Sequence, residues 1–231
     1  MQTLTFLTRP PLRLLRALLH TLLCFLVLPF CLMAAAAMAQ ESDYVAGRDY
    51  VVIDPPLPVR VAPGKVEIIE FFNFSCPHCF RLQRPFHKWQ SERDMSDITI
   101  VRVPIVFQQT GGHYARAYYT LESLNAADEL YTKMFGAIHR ERKLLNSKGR
   151  FVDWLEEQGY DAAAAEAAYD SFSVSLKASR TTETAAAYGV DSTPQLAVGG
   201  KYVINAVLAG SRERMLDILS ALVALERKAQ Q

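Results

Sequence analysis

The chain has 231 residues, half of them hydrophobic and 21% charged, with a formal net charge of +1. That composition excludes a disordered or collagen-like polypeptide. The 25 Lys and Arg residues against 24 Asp and Glu leave no basic footprint of the kind that binds nucleic acid.

Residues 1–39 carry Arg9, Arg13 and Arg16 and no acid, then a largely apolar run from Ala17 to Met33, then small residues from Ala34 to Ala39. This is the pattern of a secretory signal peptide. Ala37 and Ala39 suit the cleavage positions, so the expected cut lies before Gln40; it removes 39 residues and leaves 192. Pro29 interrupts the apolar run, which argues against a retained membrane anchor. Leu22-Leu23 and Pro29-Phe30, ahead of Cys24 and Cys31, do not fit a lipoprotein signal. Without the leader the chain holds 22 basic and 24 acidic residues, and of four cysteines only Cys76 and Cys79. An exported chain ordinarily uses cysteines as staples across long loops, and a pair three positions apart closes almost no chain entropy. Chemistry is the expected use of this pair.

Tyr50–Ile53 reads as a short strand ended by Asp54-Pro55-Pro56. Val66–Phe74, rich in branched and aromatic residues, has the length and type of a strand buried on both faces. A helix with Pro77 in its first turn follows, with apolar positions at Phe80, Leu82, Phe86 and Trp89 and a kink expected at Pro85. Ile98–Val106 reads as another strand. From His113 to Tyr188 the pattern is that of several helices, broken near Asn125, at 146–149 and at 159–161. Gly199-Gly200 between two apolar runs signals a hairpin, and Arg212–Lys228 has the apolar spacing of a helix. The order is strands flanking a helical insertion.

Cys76-Pro77-His78-Cys79 stands where a buried strand turns into a helix, where unpaired amides point outward. Cys76 at that start is expected to be acidic, helped by the helix dipole and by a charge or hydrogen bond from His78. Cys79, one turn on, is placed to resolve a mixed disulfide on Cys76. The same spacing is also half of a zinc site, so a metal-binding chaperone using Cys76, His78 and Cys79 stays open as a rival from another class.

The segment Glu70-Phe71-Phe72-Asn73-Phe74-Ser75-Cys76-Pro77-His78-Cys79 resembles the active-site strand and helix of the DsbA family of periplasmic thiol oxidases, and Pro77-His78 is that family's own dipeptide. The resemblance continues through Arg102-Val103-Pro104, Thr193-Pro194 and Gly200-Lys201-Tyr202, although Phe80 stands where the family often has an aromatic hydroxyl. It implies an α/β, thioredoxin-like fold (48–108 and 189–231) with an inserted all-helical domain (109–188). It implies no prosthetic group beyond the redox-active Cys76–Cys79 disulfide, which is donated to reduced, unfolded exported proteins in the periplasm of a Gram-negative bacterium. Reoxidation by a quinone-coupled inner-membrane reoxidase of the DsbB type is implied as well. Pro194 is implied to be cis and to lie against Cys76, with Thr193 offering main-chain groups to an extended substrate segment.

A disulfide isomerase or reductase of the same fold is the close alternative. The 36 residues from Gln40 to Ser75 leave little room for a dimerisation domain, so a monomer is expected. Glu70 lies inside an apolar strand, where an unpaired carboxylate is costly. It is either a proton relay for Cys79 or the partner of a base such as Lys65 or Arg102. His87, His113 and His139 have no evident partners and read as solvent or core histidines, and Tyr114, Tyr118, Tyr119 and Tyr131 read as core. Asn73-Phe74-Ser75 matches a glycosylation pattern by chance, at a buried strand end.

Overall fold

A computed structural model describes residues 44–106 and 111–230. The leader reading, with Cys24 and Cys31, lies outside the described residues.

The strand β2 (Val66–Phe72) is buried along its whole length, as its run of branched and aromatic residues requires. It pairs in parallel with β3 (Ile98–Pro104) and antiparallel with β4 (Gln195–Val198). Beyond β4 lie β5 (Tyr202–Asn205) and the short β1 (Val51–Val52), giving the order β1-β5-β4-β2-β3. The parallel β2–β3 pair needs a crossover, which is supplied by helix α1 (Pro77–Ser91).

Five helices follow β3: α2 (Gly111–Ser123), α3 (Ala127–His139), α4 (Lys148–Glu157), α5 (Ala162–Asp170) and α6 (Phe172–Ala187). Asn125, at φ 52°, marks the first expected break. The break at Ser171 is absent from the periodicity because apolar and small residues run through it. Ser171 ends α5 and caps α6, its hydroxyl accepting from the Val174 amide at 3.2 Å. The chain closes with the short α7 (Ala206–Ala209), too brief to show a period, and with α8 (Arg212–Ala229). No helix among the described residues is long and apolar enough to cross a membrane.

Alternation along β2 distributes its side chains among three core clusters. Val66 and Ile68 join Leu82, Phe86 and Trp89 of α1 and Ile218, Leu219 and Leu222 of α8. Ile69 and Phe71 face Val103, Ala185 and Tyr188. Phe72 and Phe74 join Cys79, Tyr118, Leu130, Tyr131 and Phe135 of the helical layer. Tyr114, Tyr118 and Tyr131 are buried there, in keeping with their reading as core.

The expected hairpin is present, with Gly199 and Gly200 at φ 59° and 68°. The three-residue connection between Val198 and Tyr202 turns on both glycines, and the Lys201 amide donates back to the Val198 carbonyl at 3.0 Å. Gly200 is the more constrained, because its own carbonyl accepts from the Leu57 amide at 2.9 Å and an added Cβ would stand 2.1 Å from the Leu57 carbonyl oxygen. At Gly199 a Cβ meets the Glu226 side chain rather than backbone, so relief needs only a side-chain shift, against the ion pair of Glu226 with Lys201. Gly200→Ala is therefore expected to lower stability by more than about 2 kcal/mol, combining left-handed strain with a backbone clash. Gly199→Ala should lose about 1–2 kcal/mol. Urea melts of the two variants check the order, and equal losses would refute the backbone clash.

Candidate active site

The pairing of β2 ends at Phe72, two residues earlier than the sequence pattern suggests, because Asn73 turns the chain. The Asn73 side chain donates to the Ile105 carbonyl at 2.8 Å and accepts from the Ser75 amide at 2.8 Å and the Ser75 hydroxyl at 2.6 Å. Its main-chain carbonyl accepts from the Cys76 amide at 3.0 Å. Asn73 was missed as a site-building residue. Its signal was an Asn two positions before Ser75, the spacing of a side-chain-closed turn.

That turn delivers Cys76 to the N-cap of α1, in extended conformation (φ −82°, ψ 114°), with Pro77 as the first helical residue. A missing N–H costs nothing there, which is why proline suits the position. The Cys79 amide points at the Cys76 sulfur at 3.4 Å, and that sulfur lies 3.4 Å from the Thr193 carbonyl. The Thr193–Pro194 bond is cis, as the resemblance implies, and Asp54–Pro55, just after the first strand, is cis too. Both cysteines are free thiols, Cys76 half-buried and Cys79 buried.

The two thiols have opposite acidities. Donation from the Cys79 thiol, chiefly, holds Cys76 down at about 5, well below an ordinary thiol; the Thr193 side chain and the amides of Cys79 and His78 add to it, against the cost of burial. Cys79 is pushed well above its ordinary value by burial first, and then by the neighbouring Cys76 sulfur. The imidazole of His78 is exposed and meets Arg81 across 3.1 Å, while its backbone amide is one of the donors that lower the Cys76 pKa.

Beneath Cys79, Glu70 is fully buried and accepts from Gln83 Nε2 at 2.8 Å; the same nitrogen reaches the Cys79 carbonyl at 3.4 Å. Of the two bases named for Glu70, Arg102 is the one beside it, because strand register sets the two residues opposite each other. Arg102 Nε stands 3.4 Å from Glu70 Oε2, and its guanidinium lies 4.3 Å from the centroid of the Tyr131 ring. Lys65 instead donates to the Ser96 carbonyl at 2.7 Å. Glu70 Oε2, Arg102 Nε and the Tyr131 hydroxyl have no hydrogen-bond partner among the described residues.

Against this centre lies a largely apolar groove of about 350 Å³, lined by His78, Pro194, Val207, Arg212 and Met215 among others, with Val207 85% exposed. The three histidines read as solvent or core all have partners. His87 Nε2 lies 2.9 Å from the Thr132 hydroxyl, His113 bridges the Tyr169 hydroxyl and the Leu145 carbonyl, and His139 Nε2 lies 2.8 Å from the Phe74 carbonyl. Burial lowers the His113 pKa.

A thioredoxin-like sheet carrying a helical insertion, with an acidic and a non-acidic thiol in one helical turn beside a cis-proline, defines a thiol:disulfide oxidoreductase. Comparison with known proteins agrees. Residues 67–219 match the DSBA-like thioredoxin domain. The chain is 37% identical over 204 residues to the thiol:disulfide interchange protein DsbA of Bordetella parapertussis, covering 85% of this chain and 96% of the relative. It is 34% identical over 191 residues to the protein of that name in Pseudomonas aeruginosa, covering 83% of this chain and 90% of the relative. The crystal structure of Pseudomonas aeruginosa DsbA superposes with a TM-score of 0.75 at 32% identity, over 82% of this chain and 97% of that one. The chain belongs to the DsbA family.

The split acidity has a direct chemical consequence, since only the thiolate alkylates. Reduced protein treated with iodoacetamide at mildly acidic pH is expected to be labelled at Cys76 and spared at Cys79. Peptide mass mapping checks it, and equal labelling would overturn the assignment of the acidic thiol.

Proposed function

We propose that this chain donates a Cys76–Cys79 disulfide to reduced, unfolded exported proteins. A substrate thiolate attacks Cys76, forming a mixed disulfide and releasing Cys79, which takes up a proton. A second substrate thiolate then attacks the substrate sulfur of that bond and expels Cys76 as a thiolate. Two electrons pass from the substrate to the cysteine pair, and no external cofactor takes part. The observation that supports this direction is the low pKa of Cys76, because a more acidic thiol is the better leaving group. Thr193 and Pro194 are the proposed seat for an extended substrate segment, with the apolar groove beside them taking its side chains.

In the same reading the thioredoxin-like part comprises 48–108 and 189–231 and the helical insertion 109–188. Residues 1–39 are removed on export to the periplasm of a Gram-negative bacterium, the mature chain acts as a monomer, and a quinone-coupled inner-membrane reoxidase of the DsbB type restores the disulfide. Glu70 is proposed to serve Cys79 as a proton acceptor or relay while remaining paired with Arg102, with Gln83 holding its other carboxylate oxygen. The deciding experiment is equilibration of the protein with glutathione buffers while the Cys76–Cys79 disulfide is scored. A strongly oxidising midpoint is expected, and a reducing one would instead indicate a reductase. His78→Ala should make the midpoint less oxidising; an unchanged one would confine His78 to its backbone amide.

Redox state should also set stability. Cys76 is more acidic folded than unfolded, so its thiolate stabilises the reduced native state fully above the unfolded pKa of about 8.5. That contribution shrinks as pH falls and is gone below about 5. The disulfide form has no thiolate, and a bridge across two residues constrains the unfolded chain little. Reduced protein should therefore be the more stable form at neutral pH, with a gap that closes towards pH 4. Paired urea melts test this; the idea is falsified if the oxidised form is the more stable at pH 7 or if the gap persists in acid.

A further inference from the structure

The helical insertion touches the two-cysteine turn through His139, the last residue of α3. His139 Nε2 lies 2.8 Å from the Phe74 carbonyl oxygen. A carbonyl can only accept, so Nε2 carries the proton and donates. The same imidazole is stacked on the Phe80 ring, with 5.0 Å between centroids and 13° between planes. Phe135, one turn earlier on α3, is also stacked with the imidazole, at 6.0 Å and 23°, and the Arg140 guanidinium lies 5.8 Å from the Phe80 centroid.

Phe74 and Phe80 bracket the segment from Ser75 to Cys79. The other polar groups of the turn are held from within the sheet side: Asn73 closes on Ser75, Cys76 and Ile105. His139 thus adds a hold from the helical side, at both ends of the cysteine turn and with one ring. The amides that turn presents have little room for loss, since the Cys79 amide meets the Cys76 sulfur at 3.4 Å.

We propose that His139 is a positioning residue for thiol–disulfide exchange: by fixing the Phe74 carbonyl and the Phe80 ring together, it keeps the His78 and Cys79 amides aimed at the Cys76 sulfur. The proposal rests on the reading of Cys76 as the attacked and expelled sulfur. Without the hold, the first turn of α1 relaxes, the amide donors lengthen, and the thiolate loses support that the neutral thiol and the disulfide do not need. A glutamine at 139 can present an Nε2 donor at a similar reach, and a phenylalanine can stack but not donate.

The test compares reduced protein with His139→Ala, His139→Gln and His139→Phe variants by thiolate absorbance against pH and by glutathione equilibrium, with thermal melts as the control for folding. His139→Ala is expected to raise the proton affinity of Cys76, and lower the equilibrium constant for reduction of the Cys76–Cys79 disulfide by glutathione, by about fivefold, the scale of one neutral hydrogen bond. His139→Gln should recover most of that loss, and His139→Phe should recover less than His139→Gln. A folded His139→Ala that titrates like the parent overturns the proposal, as does a His139→Gln no better than His139→Phe. If His139→Ala does not fold, the Gln and Phe pair decides alone. A parent protein with no thiolate titrating in the acid range would instead remove the underlying reading of Cys76, whatever the variants do.

Discussion

The rest of the molecule depends on β2 being buried on both faces. Its five apolar residues carry side chains into all three core clusters, and its edges are taken by β3 and β4. A strand so enclosed cannot slip by one residue without exchanging Phe72 and Ile68 for Phe71 and Ile69 across the sheet. The register therefore determines where the strand stops, and Asn73 then decides how the chain leaves it. Cys76 is delivered to its place by this sequence of constraints, and there meets the Cys79 amide and the Thr193 carbonyl.

The charged state at the site follows from a contest between desolvation and directed donors. Burial alone would raise both thiols, and does raise Cys79, which sits in the aromatic cluster with Phe72, Phe74 and Tyr131. Cys76 escapes because it stands at a helix start, where the Cys79 thiol and the amides of the first turn converge on it. One turn of helix thus holds two identical side chains in opposite states, an acidic sulfur that leaves easily and a neutral one that waits. Keeping Cys79 buried while leaving Cys76 only half-buried also separates the sulfur a substrate can reach from the one it cannot.

The buried pair of Glu70 and Arg102 shows a different balance. Register sets the two opposite each other, and the guanidinium is further accommodated by the face of the Tyr131 ring. Gln83 satisfies one carboxylate oxygen and connects it to the backbone of Cys79. The other oxygen faces Arg102 Nε at 3.4 Å, so the charge of the carboxylate is balanced inside the core by an ion pair set by strand register.

Much of this was legible in the sequence because local chemistry carried it. The both-faces-buried run of β2, Pro77 at a helix start, the cysteine spacing, the Gly199-Gly200 hairpin and the amphipathic period of α8 each encode their role within a few residues, where backbone sterics and side-chain period act. The Ser171 break and α7 did not show, since neither interrupts the apolar pattern for long enough to register. What tertiary structure alone decided are the meetings across the chain: Arg102 rather than Lys65 beside Glu70, the Thr193 carbonyl against the Cys76 sulfur, and His139 reaching the Phe74 carbonyl 65 positions away. Such pairs are selected by strand register and helix packing, which depend on the whole core at once, so no window of sequence contains them.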